Sequence, residues 1–250
     1  MFYKNKKKGF STLLGGLTMI CILIIFFMLT FYLKCIETVN LNLKDDADMA
    51  TMAAATIDLD QYGTDHKNLY CVSSSSSFSN AALSNEEKTA FKNHFTEYAD
   101  NLVTTMGLNE NGFDKNGSGN ISWAVNALGA KNFKLSVFEI YDYNRVNNKW
   151  IRYSVQNVNT NVLYSRSLDD SAITKTILSS SDVGKDPVTN KTILTTSNGK
   201  KITATYNVPT VHAVFSFTLK LPIFLGNEGF FDSETTKNLS VNSISQVEER

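Results

Sequence analysis

Proline is scarce in this chain, with 3 among 250 residues, and a proline-rich linker protein is excluded. Cysteine also numbers 3, too few for a disulfide-dense scaffold. An excess of charge of one sign is missing as well: Lys+Arg and Asp+Glu each count 24, giving a net charge of +0. A domain that grips phosphates normally carries a basic excess, so no nucleic-acid partner is expected. Mean hydropathy is −0.16, which rules out a polytopic membrane protein. Catalytic signatures are lacking too, with no G-x-S-x-G, no H-E-x-x-H and no P-loop. The 3 histidines, His66, His94 and His212, are scattered without metal-ligand spacing. No enzymatic activity, cofactor or small-molecule substrate is expected.

Against these absences stands one long apolar run. Phe10 to Leu33 holds 24 positions without a charge, 18 of them hydrophobic. As a helix it spans about 36 Å, against a hydrocarbon core of about 30 Å. A cleaved secretory signal has a shorter apolar core and ends at small residues, and Lys34-Cys35-Ile36 offers no such site. A lipoprotein signal is no better served, because Cys21 follows Ile20 and Cys35 follows Lys34. The run therefore predicts a retained single-pass anchor in a lipid bilayer. Lys4, Lys6, Lys7 and Lys8 precede it, whereas Lys34, Glu37, Lys44, Asp45, Asp46 and Asp48 follow. Positive-inside logic places the N-terminus in the cytoplasm and residues 34–250 outside the cell membrane. The overall neutrality is thus segregated: residues 1–9 contribute +4, residues 34–65 contribute −5, and the remainder contributes +1.

Four regions follow: a basic tail or leader at 1–9, a transmembrane helix at 10–33, a stalk helix at 34–62, and an outer domain at 63–250. The stalk carries Ala47, Ala50 or Met52, Ala54 and Ile57 at three- and four-residue spacing, a narrow stripe of small side chains that lets another helix approach closely. Gly63 is a natural stop. After a serine-rich loop, Asn85–Met106 places Phe91, Phe95, Tyr98, Leu102 and Met106 on one face of an amphipathic helix. Ser84 or Asn85 caps it, Glu86 and Glu87 favour its first turn, and Gly107 ends it. Beyond residue 130 the period changes to two. Asn132–Tyr143, Trp150–Val158, Asn161–Ser165, Lys201–Val208 and Thr210–Leu221 read as strands, and Asn238–Val247 as an edge strand. Ser167–Ser197 is a polar excursion with room for a short helix at Asp170–Leu178. The fold class is α+β: a long N-terminal transmembrane and stalk helix, one amphipathic helix, and an antiparallel sheet of about 5–6 strands.

Weaker signals can be weighed residue by residue. Asp114, Asn116 and Ser118 occupy positions 1, 3 and 5 of a calcium-type loop with Gly119 at position 6, but position 12 is Val125 instead of Glu. Any calcium site there is weak, and a Gly/Asn-rich turn is the simpler reading. The carboxylate groups Asp45/Asp46/Asp48 and Glu86/Glu87 read as solvated helix faces, and His94 as a structural neighbour of the apolar stripe. Cys35 and Cys71 both lie on the outer side, yet a helix from Cys35 to Tyr62 reaches about 40 Å and residues 63–71 return at most about 32 Å. A bond between them is therefore strained unless the stalk helix breaks.

Three features together resemble the TadE/TadG-like minor pilins or pseudopilins of the Flp (Tad) pilus assembly system. Lys6-Lys7-Lys8-Gly9-Phe10 is similar to a prepilin peptidase junction, with a basic leader ending at Gly9 and an apolar helix beginning at Phe10. Where pilins usually carry Glu, this chain has Leu14. The exit from the membrane is acidic and alanine-rich from Asp45 to Ala55, and a C-terminal strand pair is separated by Pro222 and a loop. The resemblance implies a structural or assembly component of a bacterial pilus or related secretion fibre, with other pilin-like transmembrane helices or the pilus assembly platform as partners. The alternative is a membrane-tethered surface binding or adhesion module outside any fibre.

Overall fold

A computed structural model of the chain describes residues 3–55, 83–114, 116, 119, 128–144, 147–204, 209–220 and 236–246. The elements in chain order are α1 (Tyr3–Ala54), α2 (Asn85–Met106), β1 (Leu108–Asn109), β2 (Gly112–Phe113), β3 (Lys131–Asn144), β4 (Lys149–Val158), α3 (Thr160–Ser165), β5 (Thr174–Ile177), β6 (Val183–Lys185), β7 (Thr192–Thr195), β8 (Lys201–Ala204), β9 (Thr210–Lys220) and β10 (Thr236–Gln246). The fold is α+β, as expected. Two compact units arise, Met1–Leu41 and Asn42–Arg250.

Helix α1 runs unbroken for 52 residues. No proline interrupts it, and its threonines fold back onto the helix. The hydroxyls of Thr18, Thr30 and Thr38 each donate to the carbonyl four residues earlier at 2.9 Å, so these polar groups need no outside partner. Between Thr12 and Leu33 the large apolar side chains face outward; Leu13 and Phe27 are each 72% exposed. Among the described residues this is the one helix long and apolar enough to cross a membrane.

In the second unit, α2 starts at a capping box. Ser84 Oγ accepts from the Glu87 N–H, and the Glu87 carboxylate accepts from the Ser84 N–H. The helix ends where Gly107 takes the left-handed conformation (φ 65°), which a residue without Cβ adopts freely. All five residues of the expected stripe, Phe91, Phe95, Tyr98, Leu102 and Met106, are buried. Phe138 of β3 stands beneath them, with its ring 5.6 Å from Phe91, 5.6 Å from Phe95 and 4.9 Å from Tyr98.

The main sheet has five antiparallel strands in the order β10-β9-β3-β4-β5. Two register shifts interrupt the β3–β9 pairing near Lys134 and Leu135, after which Phe138 pairs with Ala213 and Glu139 with His212. Phe138, Ala213, Tyr153 and Ser243 therefore share the helix-bearing face. The opposite face carries Tyr141 and Trp150, which pack with Leu178 against Leu194, Ile202 and Ala204 of the separate meander β6-β7-β8. The sheet is thus covered on both sides.

Two expectations need correction. Asn161–Ser165 is not a strand: Thr160–Ser165 forms α3, with Leu163 as its buried residue. A run this short does not separate period two from period 3.6. Asp170–Leu178 is not a helix either. Only Asp170–Ala172 turns, as a 3₁₀ helix started by Asp169, and Thr174–Ile177 becomes the edge strand beside β4. The β-branched run Ile173, Thr174, Thr176 and Ile177 suits an extended chain better than a helix. The polar excursion Ser167–Ser197 carries β5, β6 and β7. The other expected strands are present, although Lys201–Val208 is described only through Ala204. The expected edge strand is β10, Thr236–Gln246. The expected stop at Gly63 lies outside the described residues, since α1 is followed by a turn at Ala55 and residues 56–82 are not described.

Candidate functional site

The distal part of α1 is where the stalk helix meets the rest of its own unit. Leu43, Ala47, Ala50, Thr51 and Ala54 are all fully buried, while Met52, offered as part of the small stripe, is 61% exposed. Ile57, the last member of that stripe, lies outside the described residues. The small side chains do let neighbours come close, and those neighbours are the chain's own elements. Thr51 Oγ1 lies 2.7 Å from Ser243 Oγ and 2.8 Å from Ser245 Oγ on β10. Ser243 also donates to Asp48 Oδ1 at 2.6 Å. At the end of the helix, His94 Nδ1 of α2 lies 3.0 Å from the Ala54 carbonyl oxygen. Burial pushes the His94 imidazole down to about 4, only partly offset by its bond to Ala54, so at neutral pH the ring is uncharged and donates its proton to that carbonyl. The structural reading of His94 holds.

The two carboxylate clusters are solvated only in part: Asp45 and Glu86 are exposed as expected, but their neighbours are not. Asp46 is buried, and Asp48 is bound to Ser243. Glu87 is also buried, and beyond its capping role it accepts from Tyr153 Oη at 3.1 Å and from Lys175 Nζ at 2.7 Å. The Lys175 and Glu87 side chains are only 7% and 2% exposed, so this is an ion pair inside the protein. Helix periodicity alone could not show that β5 would bring Lys175 to this place.

A second buried cluster went unforeseen. Glu139 and His212 face each other in register on β3 and β9, with side chains 0% and 1% exposed. His212 Nδ1 lies 2.8 Å from Glu139 Oε2, and Nε2 lies 2.7 Å from Asn242 Oδ1 on β10. Tyr141 Oη donates to Glu139 Oε2 at 2.7 Å, and the Ser197 N–H donates to Oε1 at 2.8 Å. Arg152 lies 4.0 Å from the same carboxylate and donates to the Thr195 carbonyl. Burial alone would push the Glu139 carboxyl up, but bonds from His212, Ser197 and Tyr141 and the nearby His212 charge outweigh it and hold the carboxyl below its ordinary range. The Tyr141 phenol is pushed up, first by burial and then by the Glu139 charge, so it remains a donor. The pair is sealed from solvent, and its chemistry is that of a brace between the main sheet and the β7–β8 turn. The available signal was a Glu at the centre of the apolar strand Asn132–Tyr143, together with a His between Val211 and Ala213.

The remaining candidates are placed as follows. Gly9 and Phe10 lie within α1. Asp114 Oδ1 accepts from the Asn116 N–H at 2.9 Å, closing a turn on itself, and Ser118 lies outside the described residues. Gly119 has a packing reason of its own: a Cβ there would fall 2.4 Å from the Gly107 nitrogen, against the C-terminus of α2. Among the described residues no three His, Cys, Asp or Glu side chains are grouped to hold a metal. Cys21 is exposed on α1, Cys35 is half-exposed, and Cys71 and His66 lie outside the described residues. No protein-family model, no curated protein and no solved structure matches the chain.

Proposed function

We propose that this chain is a single-pass, membrane-anchored structural or assembly component of a bacterial Flp/Tad-type pilus or related secretion fibre, with its N-terminus cytoplasmic and residues 34–250 extracytoplasmic. The observation that carries this reading is one uninterrupted helix, apolar and exposed from Leu13 to Leu33 and bonded into a sheet domain at Asp48, Thr51 and Ala54. The Lys4, Lys6, Lys7 and Lys8 cluster supports the orientation, and Gly9-Phe10 supports processing of the leader. Because the small face of the distal helix is occupied by β10 and α2, packing against other pilin-like helices falls to the apolar stretch. Intact-mass measurement of the native protein tests the reading: loss of Met1–Gly9 that depends on a prepilin peptidase is expected, and a full-length mass in a host with that peptidase counts against it.

The occupied small face also favours a second reading, a tethered surface binding module that needs no fibre. It predicts an uncleaved N-terminus and normal surface display without any pilus machinery.

A further inference from the structure

Glu139, His212 and Asn242 stand on three neighbouring strands, β3, β9 and β10, and form a chain of side-chain bonds running across the sheet to its edge. We propose that this chain is an acid-labile latch: the Glu139 carboxylate, acting through His212, holds edge strand β10 on the sheet, and protonation of that carboxylate frees β10 together with the seat it provides for the distal part of α1.

The donor pattern makes the carboxylate the sensitive member. Oε2 accepts from Tyr141 and His212, and Oε1 accepts from the Ser197 N–H. A proton on either oxygen places a donor against donors in a buried site, where an unmade bond is costly. His212 is the less sensitive link. Its Nδ1 donates to the carboxylate whether or not the ring is charged. Asn242 meets Nε2 with its oxygen when the ring is charged, and a rotated amide meets it with nitrogen when the ring is neutral. The titratable and charged groups facing the pair are Tyr141 on β3 and Arg152 on β4; Ser197 and Asn242 complete the shell without charge. On the reverse face of β10, Asp48 of α1 accepts from Ser243.

β10 is where the latch matters because, among the described strands, β9 is the only one that pairs with it in the sheet, with a single further side-chain bond from Gln246 Nε2 to the Thr203 carbonyl of β8. The strand alternates its duties. Asn242 holds the latch on one face, while Ser243 and Ser245 hold Thr51 on the other. Loosening β10 therefore loosens the stalk helix without unmaking the pairing of β3, β4 and β9. The direction with pH follows from the Glu139 carboxyl being held low: the latch is closed above the ordinary carboxylate range and opens as pH falls below it.

Hydrogen exchange read by mass spectrometry on the full chain in detergent micelles tests this, with rates corrected for intrinsic exchange. Peptides covering 236–246 and 149–158 are compared at about pH 7 and about pH 3.5. In the unmodified chain, acid is expected to speed exchange in β10 about tenfold more than in β4. Glu139→Gln is expected to show fast β10 exchange already at neutral pH and no further response to acid. Asn242→Ala, at an exposed position that leaves the buried pair intact, is expected to speed β10 exchange at neutral pH and leave β4 unchanged. Equal acid responses of β10 and β4 in the unmodified chain overturn the latch. So does an acid response that survives Glu139→Gln but disappears in Asp48→Asn. Should Glu139→Gln fail to fold, unchanged β10 exchange in Asn242→Ala still overturns it.

Discussion

From Thr12 to Leu33, helix α1 turns Leu, Ile, Met and Phe outward on every side; from Leu43 to Ala54 the same helix buries one face of Leu, Ala and Thr while Met49 and Met52 stay exposed. The contrast lies in side-chain size and in what each size permits. Large apolar groups all round a helix require an apolar surrounding, because nothing in a half-covered surface satisfies every direction at once. Small groups on one side let other backbones come close enough for hydroxyls such as Thr51 and Ser243 to meet at 2.7 Å. One helix thus has a region suited to lipid and a region suited to a sheet, without a break between them.

The largest expected effect separates the two regions outright. Ile24→Asp puts a charge at the centre of the apolar stretch, at a cost of about 3 kcal/mol for insertion, and loss of membrane retention on fractionation is expected while the sheet domain stays folded. If the variant remains in the membrane with its orientation unchanged, the anchor assignment is wrong.

Acid acts on the other region. His94 is half-buried with its pKa lowered to about 4, so the unfolded chain binds a proton more readily than the folded one. Its contribution is intact above the unfolded value of about 6.5 and is lost as pH falls toward the folded value, about 3 kcal/mol at most. Thermal unfolding of the sheet domain is expected to weaken between those two pH values, and His94→Asn is expected to remove that slope. The step from about pH 7 to about pH 3.5 crosses this window as well as the one in which Glu139 titrates, and the Glu139→Gln and His94→Asn variants tell the two groups apart.

Smaller still is the effect of bulk on the distal helix. Ala50→Leu adds methylenes to a filled site and is expected to cost about 1–3 kcal/mol in denaturant unfolding. On the opposite face, Met52→Leu is expected to stay within about 0.5 kcal/mol. Similar costs for both would mean that the distal helix does not pack as described.

Much of this was legible along the chain. The apolar run from Phe10 to Leu33, the stripe Phe91–Met106 with its Ser84 cap and Gly107 stop, and the strands Asn132–Tyr143, Trp150–Val158 and Thr210–Leu221 all depend on local periodicity or capping, and periodicity survives without knowledge of neighbours. Segments of about six residues were less legible. Thr160–Ser165 and Thr174–Ile177 were exchanged in type because so short a run is decided by what it packs against. The buried polar groups were illegible. Glu87 looked like an ordinary first-turn acid, and nothing local connects it to Lys175, 88 residues away. Glu139 and His212, 73 residues apart, share a site only because β3 and β9 pair in one register.

The sequence by itself determined where a bilayer-length helix runs, which face of α2 is apolar and where charge is segregated, because each follows from hydrophobicity, spacing and sign within one continuous segment. Tertiary structure alone decided that the small face of the stalk is taken by β10 and α2, and that Glu87 and Glu139 are sealed inside the protein. Strand order and register bring distant residues together, and burial then turns ordinary surface carboxylates into bonded interior ones.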